Sequence, residues 1–186
     1  MASLAAHSAL QIQSLIRDEF SVREITDSGL IRLQTFHRGV GSVENVAEAL
    51  GMSLPGPGEV LASDAITVYW SSPGEWIIRV PIGSEQEQLV SLQSRFEGLF
   101  AVVTLMTDSR VTLELSGVMA RDVLARGSSV DFHPSVFGNN RCLSTRLAGV
   151  PIMLAHSAQH DTYLLFACRS TAHYLLDWFL ASSEDC

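Results

Sequence analysis

TDSRVTLELSGVMARDVLARGSSVDFHP, residues 107–134, decides how the rest of the chain is read. Val111, Leu113 and Leu115 alternate with Arg110, Thr112 and Glu114, the two-residue period of a strand with one buried face. Ser116 stands where a side-chain oxygen caps a following helix. In that helix, expected over Gly117–Ala125, the residues Met119, Ala120, Val123 and Leu124 share one side. Asp122 precedes Arg126 by four residues, and Gly127 suits a left-handed helix stop. The block carries no reactive constellation. It is an architectural unit.

Working outward, the same order of elements occurs twice. A strand near Leu30–Phe36 leads through Gly39 and Gly41 to a helix, Val43–Leu50, closed by Gly51. After the breaker loop Pro55-Gly56-Pro57-Gly58 come strands Ile66–Trp70 and Glu75–Val80, joined by a Ser71–Gly74 turn. A helix from Ser84 to about Phe100 follows, with a Ser84/Glu87 capping box and an inward stripe of Leu89, Leu92, Phe96 and Leu99. Strand Ala101–Met106 closes the unit. The second copy runs through strand Arg110–Leu115, the 117–125 helix, strands near Cys142–Leu147, Val150–Ala155 and Thr162–Ala167, and helix Ser170–Leu180. Gly41 and Gly51 fall 76 residues before Gly117 and Gly127; Ser84, Leu89 and Leu92 fall 87 before Thr171, Leu176 and Phe179. The expected fold is α+β: a duplicated β-α-β-β-α(-β) unit. Residues 1–27 read as a partly helical N-terminal arm suited to lie on another subunit. Residues 28–186 form one domain of two pseudo-repeats, about 28–107 and 108–181.

Composition narrows the function. Apolar residues make up 47% of the 186 and charged ones 17%, which favours either a buried partner interface or a compact α/β domain. A net charge of −8 argues against nucleic acid. Cys142, Cys168 and Cys186 are odd in number and widely spaced, so they read as free thiols, neither a disulfide framework nor a metal motif. No stretch reaches the roughly 20 apolar residues of a membrane span, and the N-terminus lacks a secretory pattern. A cytoplasmic location is expected, with no membrane partner.

Chemistry-bearing motifs are scarce. There is no G-x-S-x-G elbow and no H-E-x-x-H helix, and the six histidines are dispersed. The HRGVGSVENV and PGPG glycines lack the strand–GxGxxG–helix context of a dinucleotide site. Asp108-Ser109-Arg110 reads better as a tight turn than as an anion site. Trp76 alternates with Ile78 and Val80 and belongs to the core. In the last helix Ala172, Leu175, Leu176, Phe179 and Leu180 face inward, which leaves Tyr174 and Trp178 on the other side. These two are the candidate partner interface, unless a second layer of the same chain covers them. No catalytic, cofactor-binding or metal-ligating residue is expected.

Four stretches carry a family resemblance: SPGEWIIRVP at 72–81, residues 107–137, CLSTRLAGVPIML at 142–154 and CRSTAHYLLDWFL at 168–180. Together they resemble the gamma subunit of heterotetrameric sarcosine oxidase. The S-G-x-x-A-R-D-x-L-x-x-G pattern at 116–127 is also similar to the folate-binding domain of aminomethyltransferases. The resemblance implies a non-catalytic gamma subunit of a flavin-dependent oxidase that demethylates sarcosine. Its partners would be alpha, beta and delta subunits, and flavins, NAD, zinc and tetrahydrofolate would reside on those partners. The alternative is a stand-alone folate-binding protein of the same fold, for which Glu75, Asp108 and Glu114 are candidate pterin-binding carboxylates.

Overall fold

A strand that is apolar on both faces needs a covering layer on each side, and Thr162–Cys168, TYLLFAC, is such a strand: every residue but Cys168 is buried. The computed structural model supplies both layers; it describes residues 8–10, 14–17, 19–35, 44, 46–48, 50–63, 66–157 and 162–184. The strands are β1 (Ser14–Arg17), β2 (Phe20–Glu24), β3 (Ser28–Thr35), β4 (Val60–Ala62), β5 (Thr67–Ser72), β6 (Glu75–Pro81), β7 (Ala101–Leu105), β8 (Arg110–Ser116), β9 (Cys142–Leu147), β10 (Val150–Ser157) and β11 (Thr162–Cys168). The helices are α1 (Glu85–Arg95), α2 (Ala120–Gly127) and α3 (Ala172–Ser182). Residues 44, 46–48 and 50 are also helical; Phe36, Gly39, Gly41 and Val43 lie outside the described residues.

Two antiparallel sheets result, ordered β4-β5-β6-β3-β7 and β1-β2-β8-β11-β10-β9. Alternation along each strand assigns the faces. In β11, Leu164 and Phe166 point to the opposite sheet, where they meet Leu30, Tyr69 and Ile77; Tyr163, Leu165 and Ala167 point outward to α2 and α3. In β6, Ile77 points inward, while Trp76, Ile78 and Val80 pack outward with Leu92 and Phe96. The molecule is thus a helix–sheet–sheet–helix stack with three apolar interfaces. Along one margin the sheets are stitched by backbone bonds, Val60 N–H to Asn140 O at 3.1 Å and Cys142 N–H to Gly58 O at 3.0 Å.

The repeated order of elements is borne out, since β3-β5-β6-α1 and β8-β10-β11-α3 occupy corresponding places. The bounds of β6 and α1 fall a constant 87 residues before those of β11 and α3. The fifth strand is supplied differently in the two sheets. Beside β3 lies β7, which follows α1; beside β8 lies β2, from the N-terminal segment. Residues 14–17 and 20–24 are therefore strands of this chain's own sheet, a correction to the partly helical arm. Glu24 fixes the segment before them by accepting from the Ser8 hydroxyl and from the N–H groups of Ala9 (2.9 Å) and Leu10 (3.1 Å).

Three local expectations fail. The Ser84 capping box does not form: Ser84 has helical backbone angles, and its hydroxyl donates to Pro81 O at 2.7 Å. The helix after it stops at Arg95 instead of running to Phe100, although Phe96 and Leu99 still pack on the sheet. Ser116 caps nothing; it is the last residue of β8, with its hydroxyl 2.6 Å from that of Ser21.

Candidate functional site

The 116–127 pattern can now be read as contacts. Gly117 has φ +103°, and a Cβ there would lie 2.2 Å from Glu19 O, so only glycine lets the α2 lead-in pass under the β1–β2 turn. Met119 N–H bonds that same Glu19 oxygen at 3.1 Å. Ala120 and Leu124 are buried, and Arg121 Nε donates to the Tyr163 hydroxyl at 3.3 Å. Gly127 does not adopt the left-handed conformation expected of it; it is required because a Cβ would sit 2.5 Å from the Trp178 ring. The pattern is a docking surface for the chain's own turn and for α3.

This contact also involves one of the two interface candidates. Trp178 is half-buried over Gly127 and packs edge-on to Phe179, with ring centroids 5.3 Å apart. The helical period places it opposite the apolar stripe, and α2 covers part of the ring. Tyr174 remains 53% exposed, and its hydroxyl donates to Ala148 O at 2.9 Å. The Tyr174 ring is thus exposed but held at its polar end.

The three candidate carboxylates are not brought together. Glu114 faces a cleft of about 740 Å³ at one end of the inter-sheet space, where Arg23 pairs with it at 2.7 Å. Glu75 faces a cleft of about 430 Å³ at the other end, and accepts from Gln34 Nε2 at 2.8 Å and the Ser71 hydroxyl at 3.3 Å. Asp108 borders a third, smaller cleft of about 210 Å³. The Asp108 segment is a short turn in which the Ser109 hydroxyl, not Asp108, makes the bond back to Met106 O.

Histidines and cysteines are dispersed as well. His156 is buried and stacks on Tyr163 at 4.6 Å, His133 Nδ1 lies 2.7 Å from the Ser135 hydroxyl, and His160 falls outside the described residues. No three His, Cys, Asp or Glu side chains are grouped to hold a metal ion among the described residues. The Cys142 thiol, buried at the seam between the sheets, donates toward Glu59 O and Trp70 O, each at 3.2 Å; burial pushes it up to about 11. Cys168 is exposed, and its hydrogen bond with Ser170 lowers it. No helix of the described residues is long and apolar enough to cross a membrane.

Residues 40–185, which include the 116–127 pattern and most of both sheets, match the model of the sarcosine oxidase, gamma subunit family. The chain belongs to that family. A sarcosine oxidase subunit gamma from Arthrobacter sp. is 35% identical over 137 residues, 71% of this chain and 66% of that protein. Among solved structures, the heterotetrameric sarcosine oxidase from Corynebacterium sp. U-96 superposes with a TM-score of 0.80 at 24% identity, covering 89% of this chain and 84% of the other. The glycine cleavage system aminomethyltransferase T from Bartonella henselae gives 0.64 at 18% identity, covering 90% of this chain but 47% of that one. The gamma-family fold is therefore the aminomethyltransferase-like one expected from the 116–127 pattern.

Proposed function

We propose that this chain is the non-catalytic gamma subunit of a heterotetrameric sarcosine oxidase. The assembly would convert sarcosine to glycine and hydrogen peroxide and pass a one-carbon unit to tetrahydrofolate. The observation that carries this reading is the family match over residues 40–185. In it, alpha, beta and delta subunits are the partners and hold the flavins, NAD, zinc and tetrahydrofolate, and the assembly works in the cytoplasm. The dispersal of Glu75, Asp108 and Glu114 into separate clefts favours a structural role over a stand-alone folate carrier.

The docking face on this reading is the outer side of α3, with Tyr174 as anchor and Trp178 as the packed support beneath it. Edge strand β1, whose Ile16 is 76% exposed, is the second contact region. The pseudo-repeats 28–107 and 108–181 are the units that the constant 87-residue offset supports. Deletion of the gene followed by complementation tests the role. The deletion strain is expected to lose sarcosine-dependent peroxide formation. The wild-type chain is expected to restore it fully, and Tyr174→Ser to restore less assembled enzyme at unchanged turnover per flavin. Unimpaired peroxide formation in the deletion strain would refute the subunit role.

A further inference from the structure

The cleft of about 430 Å³ combines apolar walls with two arginines. On the inner face of the six-stranded sheet, Thr112 pairs with Phe166, Phe166 with Met153, and Met153 with Ser144. Two residues further out on the end strands of this row stand Arg110 on β8 and Arg146 on β9. Three strand spacings separate their backbones, roughly 14 Å, and both side chains line the cleft. Behind them the walls are apolar: Met153 and Phe166 from one sheet, Leu30 and Ile77 from the other, enclosing about 430 Å³. Arg146 spends one Nη1 bond on Gly149 O at 2.9 Å, and its guanidinium carries further donors.

Charge selects the occupant. Two guanidinium groups and the one carboxylate of Glu75 leave a single positive charge at this mouth, in a chain whose net charge is −8. Glu75 offsets one of the two arginine charges but does not neutralise both. One further carboxylate does. We infer that this cleft binds a small organic monocarboxylate, with its planar apolar body between the sheets and its carboxylate between Arg110 and Arg146. The inference is independent of the subunit reading, because every residue in it belongs to this chain.

Calorimetry on the full chain with 2-naphthoate tests it, against 2-naphthalenemethanol (same body, no charge) and acetate (charge, no body). Naphthoate is expected to bind at least about tenfold more tightly than either. Arg110→Gln and Arg146→Gln, both at the rim, are each expected to weaken naphthoate about tenfold and to leave 2-naphthalenemethanol unchanged. Equal affinity for the charged and neutral probes, or no effect of either substitution, would overturn the assignment. So would binding to the isolated chain that vanishes in the assembled complex, which would give the cleft to a partner subunit.

Discussion

Gly127 lies directly beneath Trp178: a Cβ at Gly127 would come within 2.5 Å of the indole and 2.9 Å of the Leu147 side chain. That one contact fixes how α2 and α3 cross and holds the Trp178 ring against the outer core. Gly127→Ala is expected to destabilise the chain by about 1–3 kcal/mol, since a flat ring backed by Phe179 has little room to retreat. In a double-mutant cycle Trp178→Leu should recover part of that loss. Urea titration of the four proteins measures it.

Gly117→Ala should cost more, about 3 kcal/mol or above, because the obstacle is a backbone carbonyl and φ is +103°. The damage is local at first: the β1–β2 turn must lift off, so amides of 20–24 are expected to lose hydrogen-exchange protection before those of β10 and β11. Uniform loss of protection would contradict this.

Ser84→Ala and Glu87→Ala are each expected to change stability by less than about 0.5 kcal/mol, where a working capping box predicts about 1 kcal/mol or more for the serine. Thermal melts of the two variants distinguish the cases.

These glycines and serines show where sequence reading stops. Strands β6, β8, β9, β10 and β11 are legible within a residue or two, because alternation and turn residues are local signals. Strand β2 is missed: Phe20 and Val22 do alternate with Ser21 and Arg23, but the partner that makes the segment a strand, β8, is remote in sequence, and locally the segment reads as a partly helical arm. The short edge strand β4 has too few residues to show a period. Gly127 was located correctly and explained wrongly: its requirement comes from an indole on another helix, which no local pattern contains. For the same reason the period of α3 tells which side Trp178 occupies but not that Gly127 of α2 packs against its ring.

Trp76→Phe is expected to lower stability by about 1–2 kcal/mol. It removes the buried bond from Trp76 Nε1–H to Pro55 O at 2.9 Å and leaves that carbonyl unsatisfied. The proline-rich loop should become more susceptible to proteolysis in the same variant. A variant as stable as the parent would mean that water replaces the indole.

Thiol reactivity should separate the two described cysteines. In a Cys186→Ser background, a disulfide reagent at neutral pH is expected to modify Cys168 alone, with Cys142 reacting only on unfolding. Cys142 holds its proton more tightly folded than unfolded. Its contribution to stability is therefore full below the ordinary 9.0 and is lost as pH rises toward about 11. Cys142→Ala should flatten that alkaline limb of the stability curve; an unchanged limb would remove Cys142 as its cause.

On the proposed function this chain works as a subunit of a flavin-bearing oxidase. Its most direct test is affinity purification of the tagged chain from its native cells grown on sarcosine, with the eluate's visible spectrum and subunit pattern as readout. A yellow eluate is expected, containing larger subunits in fixed proportion to this one and producing peroxide when sarcosine is added. A colourless eluate holding this chain alone would contradict it.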